Sequence, residues 1–103
     1  MKEAIEIIKR ELQKRKIKIL KIILFGSRAK GLYTKHSDWD FFVIINRKMS
    51  FNEKWDIIDE IKIKLAKQGI PNDIILKSEE ELEEAKDDVG RITYYVLREG
   101  VEL

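Results

Sequence analysis

The chain is 103 residues long, carries a formal net charge of +2, and contains no cysteine and one histidine. A chain of this length builds one modest core and leaves no room for a second, substrate-specific domain, so a single domain over residues 1–103 is expected. Without cysteine there is neither disulfide nor thiolate metal site, and one histidine cannot build a zinc site, so any metal must be held by oxygen ligands.

Ala4, Ile5, Ile8 and Leu12 recur at helical spacing between charged residues and predict an amphipathic helix from about Lys2 to Arg15. Ile17 and Ile19 alternate with lysines, and Ile22-Ile23-Leu24-Phe25 then runs into Gly26: a strand that becomes fully buried before a glycine-led turn. Gly26 to Gly31 has room for one or two helical turns, with Gly31 as the stop. Phe41 to Ile45 is a second strand with Asp38 and Asp40 at its start. Ser50 followed by Glu53 forms a capping box, and Phe51, Trp55, Ile58, Ile61 and Leu65 make an apolar helical stripe that ends at Gly69-Ile70-Pro71. Asn72 to Leu76 reads as a short third strand, and Ser78 with Glu81 caps an acidic helix. From Arg91 a helix runs through about Arg98, breaks at Gly100 and leaves Val101-Glu102-Leu103 extended. The order α-β-α-β-α-β-α describes one α/β or α+β unit.

Charge is unevenly spread. Residues 1–35 hold eleven Lys or Arg against three acids, and residues 36–103 hold ten against sixteen, giving +8 and −6. Solvated helix and strand faces account for most of these charges. No apolar run approaches the roughly 20 residues needed to cross a bilayer, and the charged N-terminus has no signal-peptide core, so a soluble cytoplasmic protein with no membrane association is expected.

The chemistry is carried by Gly26-Ser27, ten intervening residues, and Asp38-Trp39-Asp40. Side chains alternate along a strand, so the two carboxylates point to one face, about 6.5–7 Å apart at Cα, while Trp39 points to the other. Magnesium takes one or two carboxylates plus phosphate oxygens and water, which is the ligand set on offer. A glycine at a strand-to-helix turn lets backbone N–H groups approach a phosphate, and the Ser27 hydroxyl adds a donor. A phosphate cradle followed by a metal-binding carboxylate pair suits in-line attack on an α-phosphate. Asp73, at the start of the third strand, is the candidate third carboxylate that activates an acceptor hydroxyl.

Gly26-Ser27-x10-Asp38-x-Asp40, with Arg28-Ala29-x-Gly31 after the serine and Ser37 before the acids, resembles the minimal nucleotidyltransferase (MNT) domains of the DNA polymerase beta superfamily. The resemblance runs over nearly the whole chain, from the leading helix to the closing Glu99-Gly100-Val101. It implies the nucleotidyltransferase fold, an α/β (α+β) domain whose mixed sheet of three to five strands is flanked by helices. It further implies that Gly26 and Ser27 bind nucleotide phosphates, that Asp38 and Asp40 hold two magnesium ions, and that Asp73 completes a catalytic, metal-binding triad. ATP is the expected donor. Proteins of this kind commonly act as the antitoxin of a two-gene pair with an all-helical HEPN toxin, and some silence that toxin by transferring AMP to its tyrosine. A HEPN-domain toxin is therefore the expected partner, in a homo- or hetero-oligomer, and occlusion of the toxin without catalysis is the alternative. His36 and Trp39 stand where smaller or aliphatic residues are frequent in the family.

Of the remaining residues, Arg28 is a candidate phosphate ligand, with an ordinary surface arginine as the alternative. Trp39 and Trp55 are expected in the core, and one of Tyr94 and Tyr95 is expected to be buried while the other is available to a partner. Nucleic-acid binding is disfavoured, because the basic N-terminal part lacks interleaved aromatics and a recognised nucleic-acid motif.

Overall fold

The fold is built around the strand whose apolar run is longest. In the computed structural model, which describes residues 2–85 and 92–103, β2 (Trp39–Ile45) has all five residues from Phe41 to Ile45 buried, because both faces of the sheet are covered. β1 (Ile19–Phe25) pairs with β2 antiparallel, β3 (Asn72–Ser78) pairs with it parallel, and β4 (Val101–Glu102) pairs antiparallel with the outer side of β1. The sheet order is β3-β2-β1-β4, a mixed four-stranded sheet in the expected range of three to five.

One face is covered by α1 (Lys2–Lys14) and α3 (Phe51–Lys67). Their inward residues Ala4, Ile8, Leu12, Ile57, Ile61 and Leu65 close over Phe41, Val43 and Ile45. Each large aliphatic or aromatic side chain removed from water there contributes about 1.5–3 kcal/mol. The opposite face is smaller: Ile23, Phe42 and Ile44 meet Val96 of α5 (Ile92–Glu99) and Leu82 of α4 (Glu79–Ala85). The connection from β1 to β2 opens with the four-residue helix α2 (Gly26–Ala29), and Gly31 follows with φ +74°. The short helix and its glycine stop are as the sequence predicts; of the closing helix, the expected first residue, Arg91, lies outside the described residues.

Ser50 caps α3, accepting a hydrogen bond from the Glu53 amide at 3.2 Å. The Glu53 carboxylate does not reach back to complete the box but takes two hydrogen bonds from Arg47, at 3.0 and 3.3 Å. The box at Ser78 and Glu81 is complete, with both reciprocal bonds at 3.1 Å. The apolar stripe of α3 needs a correction. Phe51 and Trp55 are 76% and 46% exposed and pack edge-to-face on each other, with ring centroids 6.2 Å apart. Ile57, Ile58, Ile61 and Leu65 define the inward face, and the roughly 200° between Trp55 and Ile57 turns the indole outward.

Glu11 is a charged residue inside this frame. Its side chain is 1% exposed between α1 and α3, where Lys64 donates to it at 2.6 Å and Lys14 at 3.0 Å, with Arg15 3.4 Å away. Burial alone would push the carboxyl upward, but the hydrogen bonds from Lys64 and Lys14, with the charges of both, outweigh it and hold the pKa down to about 2. The cluster joins α1 to α3 through the Lys64–Glu11 pair.

A carboxyl whose pKa is lowered by folding adds stability above its ordinary value near 4.5 and loses it as pH falls toward about 2. Glu11→Gln should therefore unfold more readily than the parent at pH 7, by about 1–3 kcal/mol. Paired denaturant titrations should show that gap closing through the same acid window.

Candidate functional site

The three predicted carboxylates belong to two neighbouring strands. Asp40 lies within β2, opposite Phe25 of β1 on one side and level with Asp73 of β3 on the other. Residues two apart on a strand share a face, so Asp40 shares the face of Phe42 and Asp73 that of Ile75, and the register makes these one face. Asp38 precedes the first residue of β2 and is exposed. The start of β2 is fixed against β3 by the Trp39 amide, which donates to the Pro71 carbonyl at 2.8 Å.

The carboxylates interact electrostatically. Burial, then the charges of Asp73 and Asp38, hold the Asp40 carboxyl above the usual aspartate range. Asp73 is exposed, accepts from the Ile74 amide at 3.1 Å and lies 3.5 Å from the Lys62 ammonium of α3. Nothing in the sequence pattern singled out Lys62; it reaches Asp73 because α3 packs against β3.

Gly26 has a second constraint beyond the approach of a phosphate. Its φ is +74°, which L side chains rarely adopt, and a Cβ there would run into the Asp40 carboxylate. The glycine turn and Asp40 are thus packed against each other. Phe25 precedes α2 and has no side-chain oxygen to offer, so no side chain at that position caps the first N–H groups of the helix. The carbonyl of Ser27 accepts from the amides of Lys30 at 3.2 Å and Leu32 at 3.0 Å, which folds the chain back beyond α2.

Arg28, carried as a candidate phosphate ligand, is turned toward the loop that follows. Its guanidinium donates to the Ser37 carbonyl at 3.0 and 3.1 Å and to that of Thr34 at 3.3 Å, and it lies 4.1 Å from the centroid of Trp39 and 4.7 Å from that of Tyr33. Thr34 and Ser37 exchange hydrogen bonds across the same turn, at 3.0 and 3.1 Å. Trp39 in turn stacks on Phe41 at 6.4 Å and packs against the larger core, as expected for the face opposite Asp40. Arg28 thus ties the segment carrying Asp38 to the core. The planar fork does this through stacking and paired donors, geometry that lysine lacks. His36 lies on the exposed part of this loop.

Chemically, the cluster is an anionic face beside a glycine turn with amide donors. Among the described residues, no group of three His, Cys, Asp or Glu side chains is gathered tightly enough to hold a metal by itself. The donor set suits magnesium nonetheless, since that ion is ordinarily held by one or two carboxylates with substrate phosphate and water completing its shell. Asp40, crowded by two acids and partly buried, is where a cation would relieve the greatest repulsion.

An α+β sheet with a glycine-serine turn leading out of β1 and acids at the starts of β2 and β3 defines a nucleotidyltransferase-type domain. Residues 6–103 match the family described as Polymerase beta, Nucleotidyltransferase, and the chain belongs to that family. Among curated proteins no match is found. Of solved structures, a toxin–antitoxin with AMP-PNP aligns with a TM-score of 0.61 at 18% identity, covering 94% of this chain and 69% of its own. A mutant of the toxin–antitoxin MntA-HpeT aligns at 0.59 and 22% identity, covering 93% of this chain and 68% of its own. A protein solved as a candidate nucleotidyltransferase aligns at 0.54 and 24% identity, covering 100% and 96%. At these identities the likeness is one of fold.

Two measurements test this geometry. Because Asp40 is charged at a cost in the folded state, that cost is full at neutral pH and absent below the ordinary aspartate value. With chelator present, Asp40→Asn should melt at or above the parent temperature at pH 7, the two converging in acid. Arg28→Lys should leave Tm within a few degrees of the parent while accelerating hydrogen exchange at the Ser37 and Asp38 amides.

Proposed function

We propose that this protein is a magnesium-dependent nucleotidyltransferase that moves AMP from ATP to a hydroxyl, that of a tyrosine on a HEPN-domain toxin, and so acts as the antitoxin of the pair. The observation that carries the reading is the shared face of Asp40 and Asp73 in register, with Asp38 alongside and the Gly26 turn pressed against Asp40. Family membership supports the transfer of a nucleotidyl group. The likeness to two toxin–antitoxin structures, one of them with AMP-PNP, supports the partner and the donor.

In this reading the backbone amides at Gly26 and Ser27 and the Ser27 hydroxyl orient the triphosphate. Asp38 and Asp40, with Asp73, would hold two magnesium ions, which neutralise the triphosphate charge. The acceptor oxygen attacks the α-phosphorus and forms the new P–O bond. The bond from that phosphorus to the oxygen bridging to the β-phosphate breaks, and pyrophosphate leaves with its electron pair. The hydroxyl proton passes to the Asp73 carboxylate. Asp73 is exposed and lies on an edge strand, which leaves it accessible to a bulky protein acceptor. Arg28 has a positioning role, holding the loop that presents Asp38. The ATP requirement implies a cytoplasmic location. Among the described residues no helix is long and apolar enough to cross a membrane.

Incubation with magnesium, α-labelled ATP and the neighbouring gene's product, followed by intact-mass analysis, tests the proposal. One or more AMP units should appear on the partner, and Asp38→Asn or Asp40→Asn should reduce transfer by at least a hundredfold without loss of fold. Full transfer by both variants would overturn it. A tight complex that suppresses the partner without any mass gain would replace it with neutralisation by occlusion.

A further inference from the structure

Lys62 meets the carboxylates by way of two neighbouring residues of β3. The side-chain amide of Asn72 donates to the Lys62 carbonyl at 3.4 Å and to that of Ile70 at 3.1 Å, while the Lys62 ammonium lies 3.5 Å from Oδ1 of Asp73. Ile61, fully buried, fixes α3 on the sheet at this turn, and Lys62 follows about 100° round the helix. One residue of β3 therefore holds the main chain of Lys62 and the next holds its charge. Among the described residues this is the one ion pair made by Asp38, Asp40 and Asp73. Oδ1 of Asp73 also accepts from the Ile74 amide at 3.1 Å, so both contacts fall on one oxygen and Oδ2 takes part in neither.

The pair is built to be given up. Its side chains are 42% and 55% exposed, and an ion pair in that setting is weak and screened by salt. What the ammonium does instead is set the local field. A bare divalent cation approaching Asp73 gains the attraction of the carboxylates but meets a positive charge already on one of them. A magnesium–triphosphate meets the opposite balance: its net charge is negative, and its phosphate oxygens offer the ammonium new acceptors. The same lysine therefore opposes the ion alone and accepts the ion that arrives with nucleotide.

We propose that Lys62 is the resting counter-ion of the metal site, standing on Asp73 until the donor binds, so that the site takes its metal together with the triphosphate and not before it. Lys62 acts through Asp73 and has no bond to make or break in the transfer itself. Arginine at this position keeps the charge and the function; an uncharged side chain of similar length loses both. The inference rests on the metal-dependent transfer reading, and the two can fail separately.

Two titrations of the parent, Lys62→Met and Lys62→Arg test it, with Lys9→Met as a control that removes an exposed lysine of α1 from the groove beside the start of β1. The first uses manganese(II) alone, followed by the paramagnetic resonance of the free ion. Lys62→Met should take up manganese on the order of 3- to 20-fold more tightly than the parent, by a margin that narrows as salt is added. Lys62→Arg and Lys9→Met should match the parent. The second is calorimetry with the magnesium complex of α,β-methylene-ATP, which Lys62→Met should bind no more tightly than the parent. Equal manganese affinity in Lys62→Met and parent, or a gain repeated in full with the nucleotide complex, would overturn the counter-ion role while leaving the transfer reading intact. Failure of the parent to bind the nucleotide complex would overturn both.

Discussion

Burial of β2 on both faces is the constraint from which the rest of the molecule follows. Once Phe41, Val43 and Ile45 are committed to the α1 and α3 side, alternation commits Phe42 and Ile44 to the other. Asp40 must then join the second face and Trp39 the first. A one-residue slip would carry Asp40 into the larger core and Trp39 out among the acids. The parallel register with β3 extends the same decision to Asp73. The site's geometry is in this sense a by-product of core packing, and the buried strand holds the carboxylates against a repulsion that would otherwise separate them.

That dependence explains what could be read from the amino acids and what could not. Alternation around Asp38 and Asp40, the glycine before Ser27, and the caps at Ser50 and Ser78 are local, and local pattern was enough to place the strands, the turn and the helices. The place of Asp73 level with Asp40 was within reach too, since it begins a strand that could pair beside the second one. The use of Arg28 was not legible: whether a guanidinium turns toward a phosphate or folds back over Trp39 and Tyr33 depends on how the loop of residues 30–38 closes. Lys62 and Glu11 were hidden for a similar reason, because their partners lie across helix packing that periodicity does not specify. Trp55 failed in the opposite direction: its spacing fits an apolar stripe, but the inward face of α3 is centred on the isoleucines a little further round.

The charge asymmetry of the sequence also acquires a structural meaning. Several lysines and arginines of the first third are drawn into ion pairs: Lys14 and Arg15 converge on Glu11, Lys21 lies 4.0 Å from Glu102, and Lys30 pairs with Glu99. The acidic C-terminal part supplies two of those partners, at α5 and β4. Opposite halves of the sequence are thus joined by ion pairs at the surface, where each contributes little alone, and by one buried cluster, where removing a partner is felt.

β4 spans two residues and leaves β1 only partly covered on that side. Its ladder engages Ile23 and Leu24, and the Leu103 amide adds one bond to the Ile22 carbonyl. Toward its beginning, β1 pairs out of regular register with β2 between Ile19 and Lys21; it carries Lys21 at the surface, and Lys18 is exposed just before it. An open edge invites a strand from another molecule, and a local irregularity together with lysine side chains discourages that pairing. Among the described residues, the beginning of β1 is thus guarded by shape and charge instead of by a covering strand.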